Sequence, residues 1–177
     1  MDASNVILDF VEDKLSRPVE SQPKPDPATR SLVKGIVAGL IGGVIATAAK
    51  TLAEKVYPPR THGEAVPPDV LAEKIAGHPL DPKTKAIAAE AIHWAFGAAT
   101  GAAYGALAEF YPAATGREGA NFGMTLMALT HEGALPMLGL SAEPAAQTAR
   151  EKSSEMVTHV IFGVVTETVR RAVRQVL

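Results

Sequence analysis

The stretch Ala91–Tyr111, AIHWAFGAATGAAYGALAEFY, constrains the fold more than any other part of the chain. It holds no Asp, Glu, Lys or Arg before Glu109, and Gly97, Gly101 and Gly105 recur at four-residue spacing. On an α-helix that spacing stacks the glycines into one bare ridge, which His93 and Glu109 extend at either end. A ridge without side chains lets a second backbone come close, the device by which helices associate where there is no water to drive them together. Gly35, Gly39 and Gly43 form a second row of the same kind, continued by Thr47. The pattern predicts an all-α, multi-pass transmembrane bundle of about four long helices packed through Gly/Ala-rich ridges.

Local signals place the helices. The first long one is expected over Ser31–Val56, with an uncharged core from Gly35 to Ala49 and a stop at Pro58-Pro59. That core falls short of the roughly 20 apolar residues a bilayer needs, but Lys34 and Lys50 can snorkel and lengthen it. A small helix is expected at about Pro68–Ala76, ended by Gly77 and Pro79. Asp81 as N-cap and Pro82 at the first helical position open the second long helix, which runs to Phe110 before Pro112. Its length is about 43 Å at the usual rise per residue, and Trp94, Tyr104 and Tyr111 are its candidate interface anchors. A third helix is expected from Glu118 to Leu135, with Gly119, Gly123, Met127 and His131 in one row and a break at Pro136. A fourth follows from Ala145, with Glu155, His159, Gly163, Glu167 and Arg171 in one row.

Residues 1–30 read as an N-terminal amphipathic segment followed by a Pro-rich linker, and 31–177 as the helical membrane domain. Val6, Ile7, Phe10, Val11 and Leu15 give residues 4–16 an apolar stripe, and the acidic start lacks the basic region of a secretory signal. Basic residues before the first long helix and at the chain's end favour both termini inside. The echo of Leu52-Ala53-Glu54 before Tyr57-Pro58 in Leu107-Ala108-Glu109 before Tyr111-Pro112 suggests an internal repeat.

Chemistry is carried by few residues. A formal charge of −2 gives no footprint for nucleic acid, and the absence of Cys excludes thiolate catalysis and Cys-ligated zinc. The expected partners are the lipid bilayer and a second copy or another membrane protein. No phosphate-binding loop, nucleophile elbow or H-E-x-x-H is present, so no enzyme activity, cofactor or metal-ligand set is assigned. Ionisable residues inside a span are costly and turn inward. Glu90, His93, His131, Glu132, Glu155 and His159 are therefore the candidate buried polar cluster. Glu90-x-x-His93 has the carboxylate–imidazole spacing of di-iron bundles, whereas Glu155 and His159 are four apart. His62 and His78 lie in a polar connection and read as surface residues. The cluster is open to three readings: interhelical polar contacts, proton or ion handling, or a bound metal. The functions that match are a small membrane protein for transport or stress response, a non-catalytic membrane scaffold or subunit, and a soluble four-helix metal-binding protein.

Several blocks resemble the YagU-like family of bacterial inner-membrane proteins, whose activity is not established. They are Ala53-Glu54 with Pro58-Pro59-Arg60, then His93, Tyr104, Ala108-Glu109 and Pro112, then His131, Pro136 and Leu138-Gly139-Leu140, and last Ser154-Glu155, His159, Glu167 and Arg170-Arg171. The resemblance covers roughly residues 35–175, with a shorter first connection and fewer aromatics in the spans. It implies a multi-pass protein of the bacterial inner membrane and supplies no reaction.

Overall fold

The computed structural model describes residues 3–20, 29–60 and 64–177. Most of the expected Pro-rich linker, residues 21–28, and His62 lie outside the described residues. The described chain is all-α, with α1 (Ala3–Ser16), α2 (Leu32–Val56), α3 (Pro67–Ala76), α4 (Pro82–Phe110), α5 (Ala120–Leu129), α6 (Leu135–Met137) and α7 (Ala149–Val176). The ends follow local chemistry. The Ser31 side chain accepts the Lys34 N–H at the start of α2, and Asp81 accepts from the Lys83 and Thr84 amides at the start of α4. Gly77 ends α3 in the left-handed conformation, at φ 73°.

The two long glycine rows face each other. α2 and α4 run antiparallel with Gly35 on Gly105, Gly39 on Gly101 and Gly105, and Gly43 on Gly97 and Gly101. A Cβ added at Gly101 would lie 2.5 Å from both the Gly39 carbonyl oxygen and the Gly43 Cα. The row closes at Thr47, whose side chain sits over Gly97 and bonds back to the Gly43 carbonyl at 2.8 Å. A second close approach joins α5 to α7 through Gly119, Gly123 and Gly163, while Gly42 lets α2 meet the Thr166 carbonyl of α7. α7 thus lies against both α2 and α5. α1 closes its flank, burying Val11 with Ala120, Val157, Val160 and Val164.

The expected third helix is not continuous, and the long helices number three among the described residues. Pro112–Gly119 forms a tight 3₁₀ segment in which Gly116, Arg117 and Glu118 leave helical geometry. Arg117 and Glu118 have φ of 52° and 55°, unusual for residues with a Cβ. The conformation is held from outside the segment: Lys14 and Arg17 of the α1 region pair with Glu118, and Arg117 donates to the Arg17 carbonyl. α5 therefore starts only at Ala120, and it opens into a π-turn over Thr130–Ala134 before Pro136. Thr130 Oγ1 accompanies that widening by donating to the Leu126 carbonyl at 2.7 Å.

The apolar surface lies outside and the polar helix inside. α2 is the one described helix long and apolar enough to cross a membrane. Its outer face still exposes Leu32, Val33, Val37, Leu40, Val44 and Ile45, and α4 adds Phe96, Leu107 and Phe110 to that wall. α7 buries Ser154, Glu155, Thr158, His159, Thr166, Glu167 and Arg170. Of the several spans expected, length and composition mark α2 alone among the described residues, since α4 is built largely of Ala and Gly and α7 carries charge on every few turns.

A buried histidine–glutamate centre at one end of the bundle

The first half of α7 places Glu155 and His159 one turn apart, both buried. Ser154 fixes this end of α7 by donating to the Tyr57 carbonyl, and Tyr57 Oη meets Ser153 Oγ at 2.9 Å. The π-turn after α5 brings His131 to the same point, with Nε2 3.3 Å from Glu155 Oε2. The two imidazoles meet edge to face with centroids 5.0 Å apart. His159 Nδ1 lies 2.7 Å from the Glu155 carbonyl oxygen, so this nitrogen is the donor and Nε2 keeps its lone pair.

Cations close the centre from α2 and the segment after it. Arg60 Nη1 donates to Glu155 Oε1 at 3.2 Å and reaches Glu151 at 3.4 Å. Lys50 pairs with Glu54 and stands 3.8 Å from Glu155 Oε2. Glu155 Oε2 is inaccessible to solvent and has no hydrogen-bond partner among the described residues. Its polar neighbours are His131 Nε2 at 3.3 Å and Lys50 Nζ at 3.8 Å, and a buried carboxylate oxygen short of a hydrogen bond is uncommon in folded proteins.

Three of the six candidate residues converge here: His131, Glu155 and His159. His93 sits alongside, half-buried, with Nε2 3.3 Å from Thr51 Oγ1. Glu90 and Glu132 do not belong to the cluster. Glu90 is exposed and accepts from Trp94 Nε1 at 3.0 Å, a contact one turn along the outer face of α4. Glu132 is exposed because it is one residue round the turn from His131. The Glu90-x-x-His93 pair is therefore not half of a metal site. His78 is exposed.

Lys50, Glu54 and Arg60 belong to the centre and were not among its sequence candidates. The i,i+4 spacing of Lys50 and Glu54 was a readable signal, whereas Arg60 reaches Glu155 only through the tertiary fold. A second buried group was likewise unassigned: Glu167, fully buried, accepts from Tyr104 Oη at 2.8 Å and from Arg170 at 2.6 and 2.8 Å. Near it, Glu109 takes the Ser31 N–H at 3.1 Å and pairs with Arg174 at 2.5 Å, joining α4 to α7 and the start of α2. Outside the bundle, Glu73 of α3 accepts the Leu80 N–H and pairs with Lys85, which hold its carboxyl below the usual range.

Chemically, the centre offers two imidazoles and one carboxylate oxygen without a hydrogen bond, in a shell with three carboxylates (Glu54, Glu151, Glu155) and two fixed cations (Lys50, Arg60). It lacks a nucleophile held against a base. Searches of the curated proteins and of the solved structures return no match to the chain. A family model does match, over residues 44–168, from the second half of α2 through most of α7 and including His131, Glu155 and His159. The chain therefore belongs to the family described as protein of unknown function (DUF1440).

Proposed function

We propose that the chain is a multi-pass inner-membrane protein that holds a small cation at the buried His131–Glu155–His159 centre. One observation carries the reading: the most apolar helix turns its Leu, Ile and Val side chains outward, while the polar helix α7 is enclosed. In water this arrangement forfeits burial worth about 1.5–3 kcal/mol per large aliphatic side chain. In lipid it is the favourable one, because ionisable groups turn inward. The height of the apolar wall agrees. Trp94 and Tyr111 are 17 residues apart on α4, about 26 Å of helix, against a hydrocarbon core of about 30 Å. Lys34 and Lys50 bound α2 over a similar length. The centre then lies at the edge of the membrane, with Lys50 and Arg60 at its mouth.

α1 packs on α7 and exposes Asp9, Glu12 and Asp13 together with Val6, Leu8 and Phe10. The three acidic side chains set this flank apart from the α2 wall, which carries no charge between Lys34 and Lys50. This asymmetry favours a second reading, a scaffold whose α2–α4 wall docks on a partner helix. Since the chain has no Cys, single cysteines report cleanly. The expected result is recovery in alkali-washed membranes, with Leu40→Cys shielded from a water-soluble maleimide until detergent is added and Glu12→Cys labelled throughout. Recovery in the soluble fraction with Leu40→Cys labelled overturns the membrane reading, and Leu40→Cys shielded by a co-purified protein in solution favours the scaffold.

A further inference from the structure

Building on that cation-holding reading, we infer that the centre is a divalent transition-metal site, with His131, Glu155 and His159 as its three protein ligands. Each offers one donor atom, and the three donors lie within 4.8 Å of one another. Two ligands bonded at about 2.1 Å in a tetrahedral site stand about 3.4 Å apart. His131 Nε2 and Glu155 Oε2 are already 3.3 Å apart.

The surroundings resemble a metal's outer shell more than a hydrogen-bond network. A metal-binding imidazole uses one nitrogen while the other donates to a carbonyl or carboxylate, which fixes its tautomer. His159 does this: Nδ1 is committed to the Glu155 carbonyl, and Nε2 is left with its lone pair. Arg60 occupies Glu155 Oε1 and orients the carboxylate, leaving Oε2 inaccessible, without a hydrogen bond, 3.3 Å from His131 Nε2 and 3.7 Å from Nδ1 of the His159 ring. Among the described residues Lys50 stands 3.8 Å from Oε2, and its closer partner is Glu54. The three ligands come from α7 and a π-turn, an irregularity frequent at functional sites.

The donor set selects the ion. Two imidazoles and one carboxylate suit zinc, iron, manganese or cobalt, whereas magnesium and calcium require oxygen ligands. Three protein ligands leave a coordination position open to water or a small ligand, as in catalytic zinc sites and in the facial triad of non-haem iron.

The probe is Co²⁺, whose visible spectrum reports its ligand field, followed by Zn²⁺ in competition. Full-length protein in mild detergent, or in buffer if it is soluble, is stripped with chelator and titrated. One Co²⁺ per chain is expected, with visible bands that Zn²⁺ bleaches. His159→Ala and Glu155→Gln are expected to weaken binding by at least about 100-fold, since even outer-shell changes cost 10–100-fold. Arg60→Met, a positioning change, is expected to weaken it about tenfold and shift the bands, with Arg60→Lys recovering part of the loss. The exposed Glu132→Gln and Glu90→Gln are expected to bind as the parent does. Far-UV circular dichroism identifies any variant that has lost its fold, and a folded His131→Ala chain provides an independent ligand test. A folded parent that takes up no stoichiometric Co²⁺ or Zn²⁺, or folded ligand variants that bind like the parent, overturn the inference. The two readings fail separately. A soluble chain with one cobalt sinks the membrane reading and leaves the site standing, while a membrane chain that takes up no metal does the reverse.

Discussion

Gly101→Leu is expected to abolish the folded bundle. The ideal Cβ alone falls 2.5 Å from the Gly39 carbonyl oxygen and from the Gly43 Cα, and both are backbone atoms that no rotamer change can move. Even Gly101→Ala therefore requires α2 and α4 to separate along the whole row, because Gly35 and Gly105 at one end and Gly43 and Gly97 at the other are equally close. Alanine gains up to about 1 kcal/mol in helix propensity over glycine. The overpacking works against that gain by about 1–3 kcal/mol for one methyl group in a tight core, and more for a leucine that spreads both helices. The comparison is Gly133→Ala, where the added Cβ meets only the Ala128 carbonyl, at 3.5 Å. That variant is expected to unfold within about 0.5 kcal/mol of the parent, as surface changes do. Thermal or denaturant unfolding followed by circular dichroism ranks the three. A Gly101→Leu protein that melts with the parent shows that the α2–α4 approach is not a determinant of the fold.

The ridges, the caps and the helix stops were legible because each depends on residues a few positions apart. Asp81-Pro82 and Gly77 act within their own turn, and four-residue glycine spacing states which face is bare. The third helix was not legible, since its late start rests on left-handed backbone at Arg117 and Glu118. Lys14 and Arg17, about a hundred residues earlier in the chain, pair with Glu118 there. The centre divides in the same way. Glu155 and His159 share a turn, so their approach follows from helical periodicity. His131 shares the row of Gly123 and Met127, but its arrival beside Glu155 and His159 is a tertiary contact made from the π-turn, and Glu132, one residue round, is left exposed. Arg60 follows two prolines and carries no local mark of its destination.

Glu167→Ala is expected to cost about 3–5 kcal/mol, the range for removing one partner of a buried ion pair. Arg170 is 7% exposed and holds Glu167 through two hydrogen bonds, and Tyr104 Oη brings α4 into the same carboxylate. Without the carboxylate, the buried Arg170 guanidinium and Tyr104 phenol lose their shared acceptor, and Arg171, whose Nε stands 3.7 Å from Glu167 Oε1, loses its ion pair. Tyr104→Phe removes one bond from a group that keeps its charged partner, so about 1 kcal/mol is expected, with the ring still stacked on Phe122 at 4.2 Å between centroids. The decisive variant is the pair Glu167→Leu with Arg170→Met. If the single change is costly because it strands a charge, removing both charges restores most of the loss, as exchange of buried ion pairs for apolar side chains often does. If the double variant is as unstable as the sum of the Glu167→Leu and Arg170→Met singles, the two charges are not coupled, and a Glu167/Tyr104 cycle is the test of the remaining contact. Glu167 lies 12 residues along α7 from Glu155, about 18 Å of helix. Tyr104→Phe should therefore leave cobalt affinity at the other end unchanged. A fall in that affinity would mean that α7 shifts as one rod, tying the polar group in the middle of the bundle to the centre at its mouth.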